Sequence, residues 1–159
     1  MLVVHDVDTL KHEPAVEIHR GQSLPPFECP ERVHSILREF ETHQFGNFIP
    51  PETYELDVLH RVHSPDYVHF IKTVYDEWRE LNVDGEMVPH VWPSRRMNAE
   101  IPESLFGRLG YYSFDAGSTI SAGTWATVWA SARCAMTAAR ECWKTKRPTF
   151  ALCLSLIHI

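Results

Sequence analysis

Apolar positions recur along this 159-residue chain at two spacings, an unbroken run and a helical repeat. Leu2, Val3 and Val4 form an unbroken run at the start, which predicts a buried first strand. From residue 6 to residue 28 the pattern dissolves, and Pro14, Gly21, Pro25 and Pro26 mark the stretch as irregular. Pro30 stands where the first turn of a helix tolerates it. Val33, Ile36, Leu37 and Phe40 follow at helical spacing, so a helix is predicted over 30–42. A second helix start reads His63-Ser64-Pro65-Asp66-Tyr67. Ser64 caps, Pro65 takes the first helical position and Asp66 complements the positive end of the dipole. Val68, Ile71, Val74, Tyr75 and Trp78 supply its apolar stripe.

Residues 80–120 show no sustained period. A loop of about 40 residues far exceeds the usual ~4–6, and loops of that length tend to be functional or disordered. Trp92, Phe106, Tyr111, Tyr112 and Phe114 are too many aromatics for simple disorder. The strongest helical pattern spans about 122–143, with Trp125, Val128, Trp129, Ala132, Ala135, Met136, Ala139 and Trp143 on one face. Pro148 breaks it, and residues 149–153 read as a strand. Strand, helices, strand in that order predict a layered α/β domain with a parallel sheet. The chain then runs on apolar through Leu154-Ser155-Leu156-Ile157-His158-Ile159 without a turn or a cap.

Composition narrows the class. The chain is 44% hydrophobic, 23% charged and 11% aromatic, which is the make-up of a globular domain. A net charge of −6 argues against a nucleic-acid partner and suits a cationic ligand. No segment reaches the ~20 apolar residues that span a bilayer, so no membrane partner is expected. The four cysteines, Cys29, Cys134, Cys142 and Cys153, form no C-x-x-C pair and read as reduced thiols of a cytoplasmic protein.

Ten histidines raise the question of a metal. His60 and His63 are three apart with His69 following, but no H-E-x-x-H spacing occurs, and the pair reads as surface or capping residues. There is no G-x-S-x-G elbow and no G-x-G-x-x-G phosphate loop. The stretch EIHRGQSLPPFE at 17–28 is more informative: Glu17, His19, Phe27 and Glu28 lie close together on an irregular segment. A carboxylate beside an aromatic wall holds an ammonium group by ion pairing and cation–π contact. On composition alone the same stretch reads as a solvated loop with Phe27 plugging the core.

Four stretches carry a family resemblance. PPFECPERVHSIL at 25–37 resembles the HPE-x-x-x-R region of histone-deacetylase-like proteins, and VHSPDYVHFI at 62–71 resembles the segment that follows it. GEMVPHVWPSRRMNAEIPESLFGRLGYY at 85–112 and ISAGTWATVWASA at 120–132 resemble the acetylpolyamine amidohydrolase branch of that superfamily. The resemblance implies that residues 1–153 are the N-terminal part of an arginase/deacetylase-like three-layer α/β/α fold with a parallel sheet. It also implies a parent protein that is a zinc-dependent deacetylase, hydrolysing the amide of acetylated polyamines or similar small acetylated amines. The family's histidine pair, its zinc ligands and its carbonyl-polarising residue would lie downstream of this chain. By the resemblance, then, this chain holds neither catalytic residues nor metal ligands and is inactive alone.

What the resemblance leaves here is the substrate channel. Glu17, His19 and Phe27 are placed at its mouth, with Glu17 meeting the distal ammonium of a cationic acetylated amine. Phe106 and Gly117 stand where acidic residues would favour a highly charged polyamine, which leaves room for a shorter acetylated diamine. The 80–118 segment is implied to be the insertion through which the parent protein forms a homodimer. The alternative is a non-catalytic, deacetylase-like binding module. LSLIHI at 154–159 is also a translation of CTGTCTCTTATACACATC, a transposon end used in preparing sequencing libraries, so these residues are expected to be a non-native tail on a truncated sequence.

Overall fold

Val3 and Val4 are adjacent in sequence, so in a strand their side chains must point to opposite faces. Both are buried, at 1% and 0% exposure, so both faces of that strand are covered. The computed structural model describes residues 1–94, 100–114, 116–117 and 119–153; the expected tail at 154–159 lies outside them. The elements in chain order are β1 (Leu2–His5), β2 (Glu17–His19), β3 (Gln22–Leu24), α1 (Pro30–Thr42), β4 (Asn47–Ile49), α2 (Pro65–Glu80), α3 (Leu105–Tyr112), α4 (Thr124–Thr145) and β5 (Thr149–Leu152). Short 3-10 helices lie at Val7–Leu10 and Leu56–Arg61. The chain divides into two compact units.

The first unit comprises Met1–Glu13, Glu28–Leu56 and the described residues from Gly123 onward. Its sheet has the order β4-β1-β5, and every pairing is parallel: Val3 lies opposite Phe48 on one side and Phe150 on the other. Parallel neighbours need crossovers, and α1 lies between β1 and β4 in the chain. Val3 packs with Val33, Leu152, Leu37 and Phe40, which places α1 on one face. Val4 packs with Cys134, Ala138, Ile49 and Ala151, which places α4 on the other. This unit is therefore the helix–sheet–helix layering of an α/β fold with a parallel sheet. Strand β4 carries no sequence signal, because three residues are too few to show a period.

Helix α4 lies where its pattern predicts, but it turns a different face inward. Its buried residues are Thr124, Thr127, Ala130, Cys134, Thr137 and Ala138. Of the face read as apolar, Trp143 is 76% exposed, and Ala135 and Ala139 are also exposed. The reason is size and hydrogen bonding. Small side chains let the helix come close, and their hydroxyls find partners: Thr127 Oγ1 donates to Asp8 O at 3.0 Å, and Thr137 Oγ1 accepts from Glu52 N at 2.9 Å. On α1, Ile36 is likewise 43% exposed and Val33 is buried.

The second unit contains residues 14–27 and the described residues of 57–122. Residues read as irregular form an antiparallel hairpin here, with Glu17 opposite Leu24 and His19 opposite Gln22. The two connecting residues, Arg20 and Gly21, have φ of +52° and +76°. Positive φ at both positions is the primed turn whose twist matches paired strands, and glycine adopts it without strain. Helix α2 buries Val68, Phe70, Ile71, Val74 and Trp78. Ser64 is its N-cap residue but makes no side-chain cap bond; its hydroxyl bonds Asp66 instead.

The 80–120 stretch is more ordered than its sequence suggests. Met87 and Ile120 pair across a bridge, both almost fully buried, and α3 forms between them. Ser104 caps α3 by accepting the Gly107 N–H at 3.1 Å. The two glycines inside α3 hide it from a propensity reading. Gly110 is required by packing: a Cβ there would sit 1.4 Å from the Val91 carbonyl oxygen. Arg108 pairs with Glu77, and Tyr112 Oη donates to Asp66 Oδ2 at 2.7 Å, tying α3 to α2.

Candidate functional site

On β2, Glu17 and His19 are two residues apart and so share a face of the strand. Ile18 between them donates its N–H to Gly117 O at 3.2 Å, and Thr119 Oγ1 donates to Val16 O at 3.0 Å. These bonds bring the hairpin beside residues a hundred positions later in the chain. Between them lies a cavity of about 360 Å³, with Glu17, His19, Arg20 and Gly21 on one side and Ala116 and Gly117 on the other.

Glu17 is half-buried, and its Oε2 accepts the Phe27 N–H at 2.8 Å. Pro25 and Pro26 have no N–H, so Phe27 supplies the first backbone donor after β3. The bond anchors the Pro25-Pro26-Phe27 segment to β2. The Phe27 ring is 63% exposed, so it is not a plug in the core, and it does not line the cavity. Of the three residues that the resemblance places at the channel mouth, Glu17 and His19 thus share the cavity, and Phe27 is joined to Glu17 by its backbone. Arg20 joins Glu17 and His19 at the cavity. Its signal is the R-G pair between two short runs of paired-strand length. Phe106 packs edge-on against Trp78 at 5.8 Å and His90 at 5.5 Å, whereas Gly117 lines the cavity. His60 and His63 are exposed, and the His63 ring lies 5.3 Å from that of Tyr67.

Some titratable groups of the first unit lie at the carboxyl ends of β1 and β5, the end at which parallel α/β sheets build sites. Asp6 Oδ2 accepts from Arg133 at 2.8 Å, and His5 Nδ1 lies 3.3 Å from Leu152 O. Burial pushes the Cys134 thiol up to about 12 and raises that of Cys153, so neither is a ready thiolate. His12 is fully buried with Nδ1 2.9 Å from Thr124 Oγ1, and burial lowers its pKa to about 4. Among the described residues no group of three or more His, Cys, Asp or Glu is placed to hold a metal ion. These residues therefore do not fit the zinc that the resemblance implies. Among them, too, no helix is long and apolar enough to cross a membrane.

No family model matches the chain. Curated proteins do. Over 153 residues it is 35% identical to acetylpolyamine amidohydrolase 2 of Pseudomonas aeruginosa, covering 96% of the chain and 44% of that protein. It is 30% identical to the acetylpolyamine amidohydrolase of Mycoplana ramosa, covering 96% of the chain and 45% of that protein. This chain is a relative of the acetylpolyamine amidohydrolases. It spans less than half the length of the acetylpolyamine amidohydrolases it matches. The fold agrees: the crystal structure of the Burkholderia pseudomallei acetylpolyamine aminohydrolase superposes with a TM-score of 0.84 at 22% identity, over 96% of this chain and 44% of that one.

Proposed function

We propose that the protein carrying this chain is an amidohydrolase that removes the acetyl group from a small acetylated amine, and that this chain supplies part of its substrate site. The similarity to acetylpolyamine amidohydrolases along 96% of the chain carries the reading. The cavity beside β2 supports it. Glu17 lends a carboxylate with one oxygen engaged by the Phe27 N–H and the other unused by that bond, fit to attract an ammonium group. The reaction adds water across the acetyl C–N bond and releases acetate and the amine. Zinc, held by residues outside the described set, would supply the Lewis acid, and the 159-residue chain by itself would bind without hydrolysing. Glu17 would act far from the reacting amide, by holding the substrate in register.

We also propose a homodimer formed through 80–118, where Val91, Trp92, Ile101 and Phe114 are exposed at 53%, 43%, 44% and 83%. The four unpaired cysteines support a cytoplasmic setting. The test is hydrolysis by the full-length protein. Acetate release from N-acetylated diamines, lost on chelation and restored by zinc, is the expected result. Specific binding of those amides without acetate release would favour the binding-module reading.

A further inference from the structure

The cavity beside β2 carries two opposite charges. Among the described residues that line it, Glu17 is the one carboxylate and Arg20 the one guanidinium. Glu17 Oε2 accepts the Phe27 N–H, but no ion pair among the described residues involves either side chain. Arg20 is held at the cavity by its backbone, since the tight turn with φ of +52° leaves its place on the hairpin fixed by the Glu17–Leu24 and His19–Gln22 pairings. Arg20 is exposed and lines the cavity.

A purely cationic ligand meets attraction from Glu17 and repulsion from Arg20. A ligand with an ammonium and a carboxylate on one carbon meets attraction from both. Arg suits this task because its planar fork engages a carboxylate through two parallel N–H donors. We propose that Arg20 is a specificity-determining residue, and that this site takes the amino-acid head group of an N-acetylated diamino acid, with the acetylated amine at the far end of its side chain. The inference rests on the amidohydrolase reading and narrows its substrate class. Water adds across the acetyl C–N bond, acetate and the free side-chain amine leave, and the head group keeps its atoms and charges. Its contacts serve ground and transition states alike, so they set KM rather than kcat.

The test compares two substrates in the full-length protein: the side-chain-acetylated diamino acid, and the acetylated diamine that differs from it only by lacking the carboxylate. Exposed charge contacts are modest, so the wild type should favour the zwitterion by about threefold to tenfold in kcat/KM. Arg20→Gln should raise KM for the zwitterion, lower it for the diamine and bring the ratio to one or below. Glutamine accepts this backbone, since Gln44 already adopts φ of +51° in this chain. Arg20→Lys should keep the order of preference with a smaller ratio, and added salt should narrow the wild-type ratio. Turnover of the diamine with no preference for the zwitterion overturns this inference and leaves the amidohydrolase reading standing, as does an equal effect of Arg20→Gln on both substrates. Turnover of neither overturns both.

Discussion

The imidazole of His12 and the hydroxyl of Thr124 meet 2.9 Å apart, fully buried, although 112 positions separate them. Thr124 opens α4, so the contact ties the segment after β1 to the start of the helix that covers its sheet. Burial takes the His12 pKa from its ordinary 6.5 down to about 4. Between those values the unfolded chain binds a proton that the folded chain refuses. Stability linked to His12 is therefore complete above about pH 6.5 and is lost as pH falls towards 4, by about 3 kcal/mol in total. Denaturant midpoints of the full-length protein across that window should show it. His12→Gln should flatten the pH dependence of unfolding there, and an unchanged slope would rule out His12 as its source.

Gly110 should not tolerate a methyl group. The added carbon would meet the Val91 carbonyl oxygen at 1.4 Å, and backbone cannot swing aside as a side chain does. Gly110→Ala should cost more than about 2 kcal/mol by thermal or denaturant unfolding despite its better helix propensity. The exposed Ala135→Ser, on α4, should stay within about 0.5 kcal/mol. A neutral or stabilising Gly110→Ala would mean that α3 does not pack on Val91 in solution.

The two faces of α4 should rank opposite to their hydrophobicity. Thr127→Val removes the donor to the Asp8 carbonyl in a site with no exposure, at a cost of about 1–2 kcal/mol. Trp143→Ala removes a ring that is 76% exposed and meets the Lys146 ammonium at 3.7 Å, at a cost of at most about 1 kcal/mol. Unfolding free energies in the reverse order would make the tryptophan side the packed one.

Glu17→Gln keeps an amide oxygen to accept the Phe27 N–H and removes only the charge. For a cationic acetylated substrate, KM should rise by a few-fold to about tenfold with kcat nearly unchanged. The effect should shrink in salt and vanish for an uncharged acetylated substrate of equal length. Equal losses for charged and uncharged substrates would assign Glu17 to the fold alone.

Much of the fold was legible in the sequence because its main elements are long or strongly marked. Helices α1, α2 and α4 have 13, 16 and 22 residues, enough turns to show a period, and two of them open on Pro30 and Pro65. Strands β1 and β5 are apolar runs beside clear breaks, and their parallel pairing follows from the helices between them. Strands of three residues, as in β2, β3 and β4, have too little length for any pattern to rise above chance.

The sequence by itself determined where α1, α2 and α4 begin, and the layered α/β class; its likeness to a family singled out Glu17 and His19 as candidates. Those are local properties or matters of order along the chain. Tertiary structure alone decided which side of α4 faces the sheet, because close approach and satisfied hydroxyls outweigh a tryptophan stripe that local periodicity ranks first. It alone decided that α3 forms around two glycines, since the Val91 backbone needs the space. It alone set Gly117 and Ala116 across from Glu17 and put Arg20 at the same cavity. A cavity is made by residues far apart in sequence, and hydrogen bonds such as Ile18 N–H to Gly117 O exist only once the chain has closed on itself.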